Sequence, residues 1–135
     1  MNIERRRNAR LNPKELTFVA VRPEFSRSGE LLDISKSGLC FQYLRKPNPG
    51  GDMVTPLKID IFIINNGYYL PKVSCTLVYD VADKKEHTLF PKNFEFRRCG
   101  LQFWKLSEEQ ASQVKLYLEN HTLKGIGKQK LETGN

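Results

Sequence analysis

Asp33-Ile34-Ser35-Lys36-Ser37-Gly38 joins two strand-like runs, Glu30-Leu31-Leu32-Asp33-Ile34 before it and Gly38-Leu39-Cys40-Phe41-Gln42-Tyr43 after it. Short apolar and aromatic runs on either side of a Ser- and Gly-containing link read as two strands joined by a turn. The turn presents a carboxylate, two hydroxyls and a glycine whose backbone can be approached closely.

The same alternation of strand and turn continues outward. Residues 16–22, Leu16-Thr17-Phe18-Val19-Ala20-Val21-Arg22, are rich in strand formers, and Ser26 to Gly29 turn the chain into the next run. Pro47-Asn48-Pro49-Gly50-Gly51-Asp52 reads as an exposed loop. Further strands are expected over Val54 to Ile64, about Tyr69 to Tyr79, and Phe94 to Phe103, with a tight turn at Asn65-Asn66-Gly67. Asp80 to Lys92 is polar and mixed, and reads as a connection. Short strands at this spacing suggest an antiparallel barrel, whose closure removes the edges on which such sequences aggregate.

One helix closes the pattern. Ser107-Glu108-Glu109-Gln110 is a capping box, with Leu106 and Ala111 placed as a hydrophobic staple. Ala111, Val114 and Leu118 share one face, so residues 108–120 are expected to be helical and to pack on the barrel. Gly125, Gly127 and the charged residues beyond Thr122 read as a frayed tail.

At 135 residues the chain fits one domain, and its 39% hydrophobic content with eight phenylalanines supports an ordinary core. No stretch approaches the ~18 apolar residues of a membrane span, and no apolar signal segment follows the charged start. Cys40, Cys75 and Cys99 have no metal-ligand spacing and read as buried thiols in a reducing cytoplasm. The net charge of +7 is concentrated at the two ends. Arg5, Arg6, Arg7, Arg10 and Lys14 face only Glu4 at one end, and Lys124, Lys128 and Lys130 face Glu132 at the other. A concentrated basic arm points to an anionic partner.

Arg6 and Arg10 fall on one side of the chain whether the arm is helical or extended, since four residues nearly complete a helical turn and make an even step on a strand. Two guanidinium forks so placed suit phosphate oxygens, or one phosphate and the face of a base. Arg5 and Arg7 could shift this register by one. Beside the Asp33–Gly38 turn, the arginines suggest a receptor for a small phosphorylated ligand carrying a polar base.

Arg6-Arg7-Asn8-Ala9-Arg10 fits Arg-x-x-x-Arg, and Asp33 to Gly38 fits Asp-x-Ser-x-x-Gly. This ordered pair resembles the PilZ domain family of cyclic di-GMP receptors. Cys99-Gly100-Leu101-Gln102-Phe103 followed by the capped amphipathic segment resembles that family's closing strand and helix, so the likeness runs over about residues 4 to 120. It implies an all-β-dominated fold, a small antiparallel Greek-key-like split barrel of six to seven strands with a C-terminal helix packed on it. Residues 1–14 become a flexible basic arm, 15–122 the barrel and helix, and 123–135 a disordered tail. The resemblance places ligand contacts on Arg6, Arg10, Asp33, Ser35 and Gly38, with Ser37 and Lys36 on the same rim. It further implies an arm ordered by cyclic di-GMP and then read by a partner protein or a neighbouring protomer, the family working either as a free adaptor or as a module in a longer protein.

Asp33 suits guanine N–H donors, and Ser35 suits a phosphate or ring acceptor. Gly38 is expected either to hold a conformation closed to side chains or to leave room for the base. Asp-x-Ser could also form an Asx-type turn that pins the strands, and both roles are expected together.

Enzymatic residues are not assembled by the sequence. His87 and His121 are far apart, and Asp80, Asp83 and His87 match no familiar metal spacing. The cysteines sit in apolar strand contexts, and Glu108 and Glu109 are explained by a helix N-terminus. Two alternatives to the receptor reading are a nucleic-acid-binding barrel stacking bases on Phe18, Tyr43, Phe96 or Phe103, and a degenerate adaptor that binds no nucleotide. Alternation directs most of those aromatics to the core, which counts against the first.

Overall fold

The computed structural model describes residues 9–23, 25–45, 56–83 and 94–123. Among the described residues eight strands form, β1 (Asn12–Pro13), β2 (Thr17–Arg22), β3 (Gly29–Ile34), β4 (Gly38–Arg45), β5 (Leu57–Ile63), β6 (Tyr69–Ala82), β7 (Glu95–Phe103) and β8 (Thr122–Leu123), with a short 3-10 turn at Phe25–Arg27 and one α-helix, α1 (Glu108–Asn120), before the last strand. Six strands close an antiparallel barrel in the order β2-β3-β4-β7-β6-β5, and β5 returns to seal against β2 over six residue pairs. The expected barrel and terminal helix are present, with six strands in the closed sheet.

Alternation builds the core. Val19 and Val21 of β2, Leu39 and Phe41 of β4, and Ile59 and Ile61 of β5 point inward and are buried. Arg22 is held on the outer surface by a bidentate bond to Asp60, 2.9 Å in each arm. Asp60 also accepts the Lys72 N–H at 2.9 Å, where β6 bulges and Lys72 takes a left-handed φ of 52°. The turn at Asn65–Gly67 has φ of 72° and 84° at those two residues. Asp80, read from sequence as the start of a connection, instead lies in β6. Its carboxylate accepts the Tyr43 hydroxyl at 2.7 Å and Arg97 Nε at 3.0 Å, which makes a polar residue acceptable there.

The helix begins as its capping box requires. Ser107 Oγ accepts the Gln110 N–H at 3.0 Å, and the Gln110 side chain accepts the Ser107 N–H at 3.0 Å. The buried face differs from the expected stripe. Val114 and Tyr117 are buried and Leu118 is partly so, whereas Ala111 is exposed. The Tyr117 hydroxyl lies 2.6 Å from Thr17 Oγ1, and Tyr68 meets the Tyr117 ring edge-on at 5.3 Å, so the helix is pinned to β2 and to the start of β6.

Residues 9–14, assigned from sequence to the basic arm, are attached to the domain. Leu11 exchanges both backbone hydrogen bonds with Ile34, at 2.9 and 3.0 Å, and β1 pairs with β8. Leu123, assigned to the tail, is therefore a strand residue opposite Asn12. Lys14 N–H donates to the His121 carbonyl at 2.8 Å, and Glu15 bonds the His121 ring at 2.9 Å. Phe18 lies on the outer face of β2 against Phe62, ring centroids 6.0 Å apart, instead of in the core.

Replacing Ser107 with Ala should lower the unfolding free energy by about 0.5–2 kcal/mol in urea titration, because an amide of the first turn loses its acceptor. Tyr43 and Tyr117 give a second expectation. Burial raises each hydroxyl from the ordinary value near 10 to about 12, with the Asp80 bond adding to the effect on Tyr43. A raised phenol favours folding while the unfolded phenol is neutral, so this stability is intact below about pH 10 and disappears on the way to about pH 12. Melting temperature followed across that window with phenolate absorbance should fall as these tyrosines ionise, and Tyr43→Phe should flatten the loss.

Candidate functional site

The Asp33–Gly38 link is organised by Ser35. Its side chain accepts the Ser37 N–H at 3.1 Å, and its own N–H donates to the Gly38 carbonyl at 2.8 Å. The Ser37 carbonyl accepts the Phe103 N–H at 2.8 Å, tying the turn to the end of β7. Ser35 is buried, while Lys36 and Ser37 are exposed on the rim. The expected self-pinned turn is present, with Ser35 rather than Asp33 as its pin.

Gly38 needs no left-handed backbone, and its constraint is the close approach that a glycine backbone permits. Among the described residues Gly67 is the only glycine with positive φ. A Cβ at Gly38 would stand 2.2 Å from the Leu101 carbonyl oxygen, so the constraint is the approach of β7.

Asp33 is left for another partner. Arg10 Nη1 donates to its Oδ1 at 2.9 Å, with the two side chains 31% and 26% exposed. This bond brings the end of one motif to the start of the other across 23 residues of sequence. Arg5, Arg6 and Arg7 lie outside the described residues.

Two β-bulges decide what accompanies Asp33. In β3 the register moves from Leu31 opposite Phe41 to Asp33 opposite Cys40, which makes Leu32 the extra residue. The bulge turns Asp33 outward while Ile34 goes to the core, and the Asn12 side-chain amide donates to the Leu32 carbonyl at 3.0 Å. In β6 the register moves from Leu77 opposite Leu101 to Tyr79 opposite Gly100, which makes Val78 the extra residue. Cys40 in turn pairs with Gly100. One outward row therefore runs Asp33, Cys40, Gly100, Tyr79 across four strands, about 14 Å at ordinary strand spacing.

The row has an acid at one end, a ring at the other and small residues between them. The Tyr79 hydroxyl donates to Cys40 Sγ at 3.2 Å. Burial raises the Cys40 thiol pKa, Asp33 adds to that rise, and Arg98 and Arg10 act against it, so both guanidinium groups lie within electrostatic reach of the row. Gln42 and Arg98 form the neighbouring outward pair and both engage Asp83, Gln42 at 2.7 Å and Arg98 at 3.8 Å. Nothing in the sequence alone marks Tyr79, Gly100 or Arg98 for the site. Strict alternation from Leu77 would have sent Tyr79 inward, and no local signal marks Val78 as the extra residue.

The remaining chemistry is structural. Cys75 and Cys99 are buried thiols held well above their ordinary range by burial. Asp80 and Asp83 are bound to Arg97 and Arg98, and His87 lies outside the described residues. A separate cavity of about 620 Å³ opens between the Asn65–Gly67 turn and α1, with Tyr68, Gln110 and His121 among its walls, and it includes no residue of the row. No helix among the described residues is long and apolar enough to cross a membrane.

These features define a small closed-barrel module in which an arginine-bearing leading segment meets a polar turn at the barrel rim. The family model for the PilZ domain matches residues 4–120, and the chain belongs to that family. Among solved structures, YcgR from Escherichia coli in complex with c-di-GMP is similar at 15% identity and a TM-score of 0.56, covering 85% of this chain and 45% of that one. The PilZ domain of YcgR with c-di-GMP is similar at 16% identity and a TM-score of 0.57, covering 82% and 86%. The MrkH–c-di-GMP complex from K. pneumonia is similar at 11% identity and a TM-score of 0.57, covering 85% and 51%. At such identities the likeness is one of fold, and this chain spans about half the length of the YcgR and MrkH chains. No curated protein matches the sequence.

Gly38→Ala should destabilise the domain by about 1–3 kcal/mol, as overpacking against fixed backbone does. Arg10→Ala should cost under about 1 kcal/mol, because its ion pair is partly solvated. Urea unfolding of the two variants distinguishes them. A Gly38→Ala protein as stable as the parent would mean that β7 does not constrain the turn.

Proposed function

We propose that this domain is a cyclic di-GMP receptor that acts as an adaptor and has no catalytic role. The observation that carries the reading is the Arg10–Asp33 pair, which sets a phosphate-binding cation beside a base-reading carboxylate at the mouth of a PilZ barrel. The ligand bound to the solved relatives has both chemistries. Arg10 and Arg6 hold its phosphates or stack on a base, Asp33 accepts from guanine N–H groups, and the turn pinned by Ser35 supplies the preorganised rim. Arg5 and Arg7 add to the same positive field. The dianion fixes the leading arginines against the Asp33–Gly38 turn, and the surface so created is what a partner protein reads in the cytoplasm.

Calorimetry should show saturable binding of cyclic di-GMP and poor competition by GMP, which has one base and one phosphate. Arg6→Ala or Arg10→Ala should each cost about 2–4 kcal/mol of binding, as charged partners at an interface do. Asp33→Asn should weaken binding while leaving the fold intact. Amide exchange on residues 1–10, ahead of the Leu11–Ile34 bridge, should slow when ligand is added. Equal exchange in both states would remove the switch, and single-stranded nucleic acid binding more tightly with a steep salt dependence would replace the receptor reading altogether.

A further inference from the structure

Strand β2 is apolar on both of its faces. Val19 and Val21 fill the core, and the outward positions along the same stretch are Leu16, Phe18 and Ala20, where a strand with one solvated face carries polar side chains. Its neighbour β5 continues that surface. Phe18 stands opposite Phe62, Phe62 opposite Tyr69, and Glu30 flanks Phe18 on β3. One outward row therefore reads Glu30, Phe18, Phe62, Tyr69 across four strands, about 14 Å at ordinary strand spacing. Leu16 and Ile64 extend the apolar surface along β2 and β5, 52% and 46% exposed, and Tyr69 is 56% exposed.

This face lies on the far side of the barrel from the Asp33 row. In the closed order of six strands the seam of β2 with β5 is opposite the seam of β4 with β7, on which that row is centred. The two surfaces share no residue.

Charge on the face is sorted by side. Arg22 is neutralised by Asp60, which leaves Glu30 on the β3 flank and Lys72 on the β6 flank, both exposed. Among the described residues neither the Glu30 carboxylate nor the Lys72 ammonium has an ionic partner. An aromatic centre with an acid on one flank and a base on the other is complementary to itself. A twofold axis along the β2–β5 seam sets Phe18 of one copy on Phe62 of its partner, twice. It also carries each Glu30 over the flank that holds Tyr69 and Lys72 in the other copy. Lys72 is about one outward row, roughly 7 Å, along the strand, a gap its flexible stem can close. The crossing of about 30° between packed sheets, together with barrel curvature, splays the rows beyond Asp60 and keeps Arg22 away from the Lys58 position opposite it.

We propose that a second copy of the chain docks on this face and forms an isologous dimer through the β2–β5 seam. A contact between two convex surfaces falls at the low end of specific interfaces, under about 1,200 Å² in total. The dimer is therefore reversible and set by protein concentration. Both Asp33 rows stay open on its outer sides, so dimer formation does not depend on the cyclic di-GMP reading.

Sedimentation equilibrium of the whole chain without nucleotide, from about 10 µM to about 1 mM, tests this, with thermal melts to verify folding. The parent should pass from monomer to dimer over that range, and Phe18→Ser combined with Phe62→Ser should remain monomeric. Glu30→Lys and Lys72→Glu should each weaken association several-fold. The two reversals together should restore it, because the exchanged charges face each other again across the twofold axis. That rescue decides the matter even should the serine variant fail to fold. A dimer that survives loss of both phenylalanines, or charge reversals that do not rescue each other, overturns the dimer face. A parent monomeric at the top of the range overturns it as well and gives the face to another occupant. Phosphatidylglycerol vesicles that sediment with that parent and not with Phe18→Ser would identify the occupant as a membrane surface.

Discussion

A closed barrel leaves each strand one face for the core and one for solvent, and no free edge at which a misfit can be absorbed. The closure of β5 onto β2 imposes that rule on all six strands. A residue that must face outward out of turn can do so only through a local bulge. The bulge at Leu32 brings Asp33 to the surface, the one at Val78 does the same for Tyr79, and the intervening strands supply Cys40 and Gly100. Without closure these shifts could be taken up by slippage of a whole strand. With it, each stays local and the four residues remain in one line.

Much of this was legible in the sequence because the signals are local. The strands around Val19, Phe41 and Ile61 follow from β-propensity and turn residues, and the helix start follows from Ser107 and Gln110, two residues that satisfy one another. The Asp33–Gly38 turn was legible for the same reason. What escaped was decided by contacts distant in sequence. Asp80 reads as loop because it is charged, yet Tyr43 and Arg97 accommodate it within a strand. Leu31-Leu32 and Leu77-Val78 are pairs of apolar neighbours, so nothing marks which member is the extra one. Gly38 looks like a turn glycine, but its reason is the Leu101 carbonyl on another strand. The pairing of Asn12–Pro13 with Thr122–Leu123 is too short to carry any periodic signal.

The Arg10–Asp33 pair has an energetic consequence for the proposed ligand. One arm of the guanidinium and one oxygen of the carboxylate are already engaged with each other, so a dianion with a base competes with that bond for those two atoms. A fully buried pair would make that exchange costly, because desolvated charges separate with difficulty. Partial exposure keeps the cost low and still holds Arg10 near the place where it is needed. Affinity is then a difference between two sets of charged contacts, smaller than the contacts in the complex would suggest.

The short ribbon of β1 and β8 gives Arg10 a mechanical setting. Leu11 is bridged to Ile34 on one side, and Asn12 to Lys14 are bonded to His121, Thr122 and Leu123 on the other. Arg10 thus stands one residue ahead of an anchor on β3, on a segment whose other end is fastened to the C-cap of α1 and to β8. A displacement of Arg10 is therefore felt first at Leu11, where it is opposed both by Ile34 of the barrel and, through the ribbon, by the residues that end the helix.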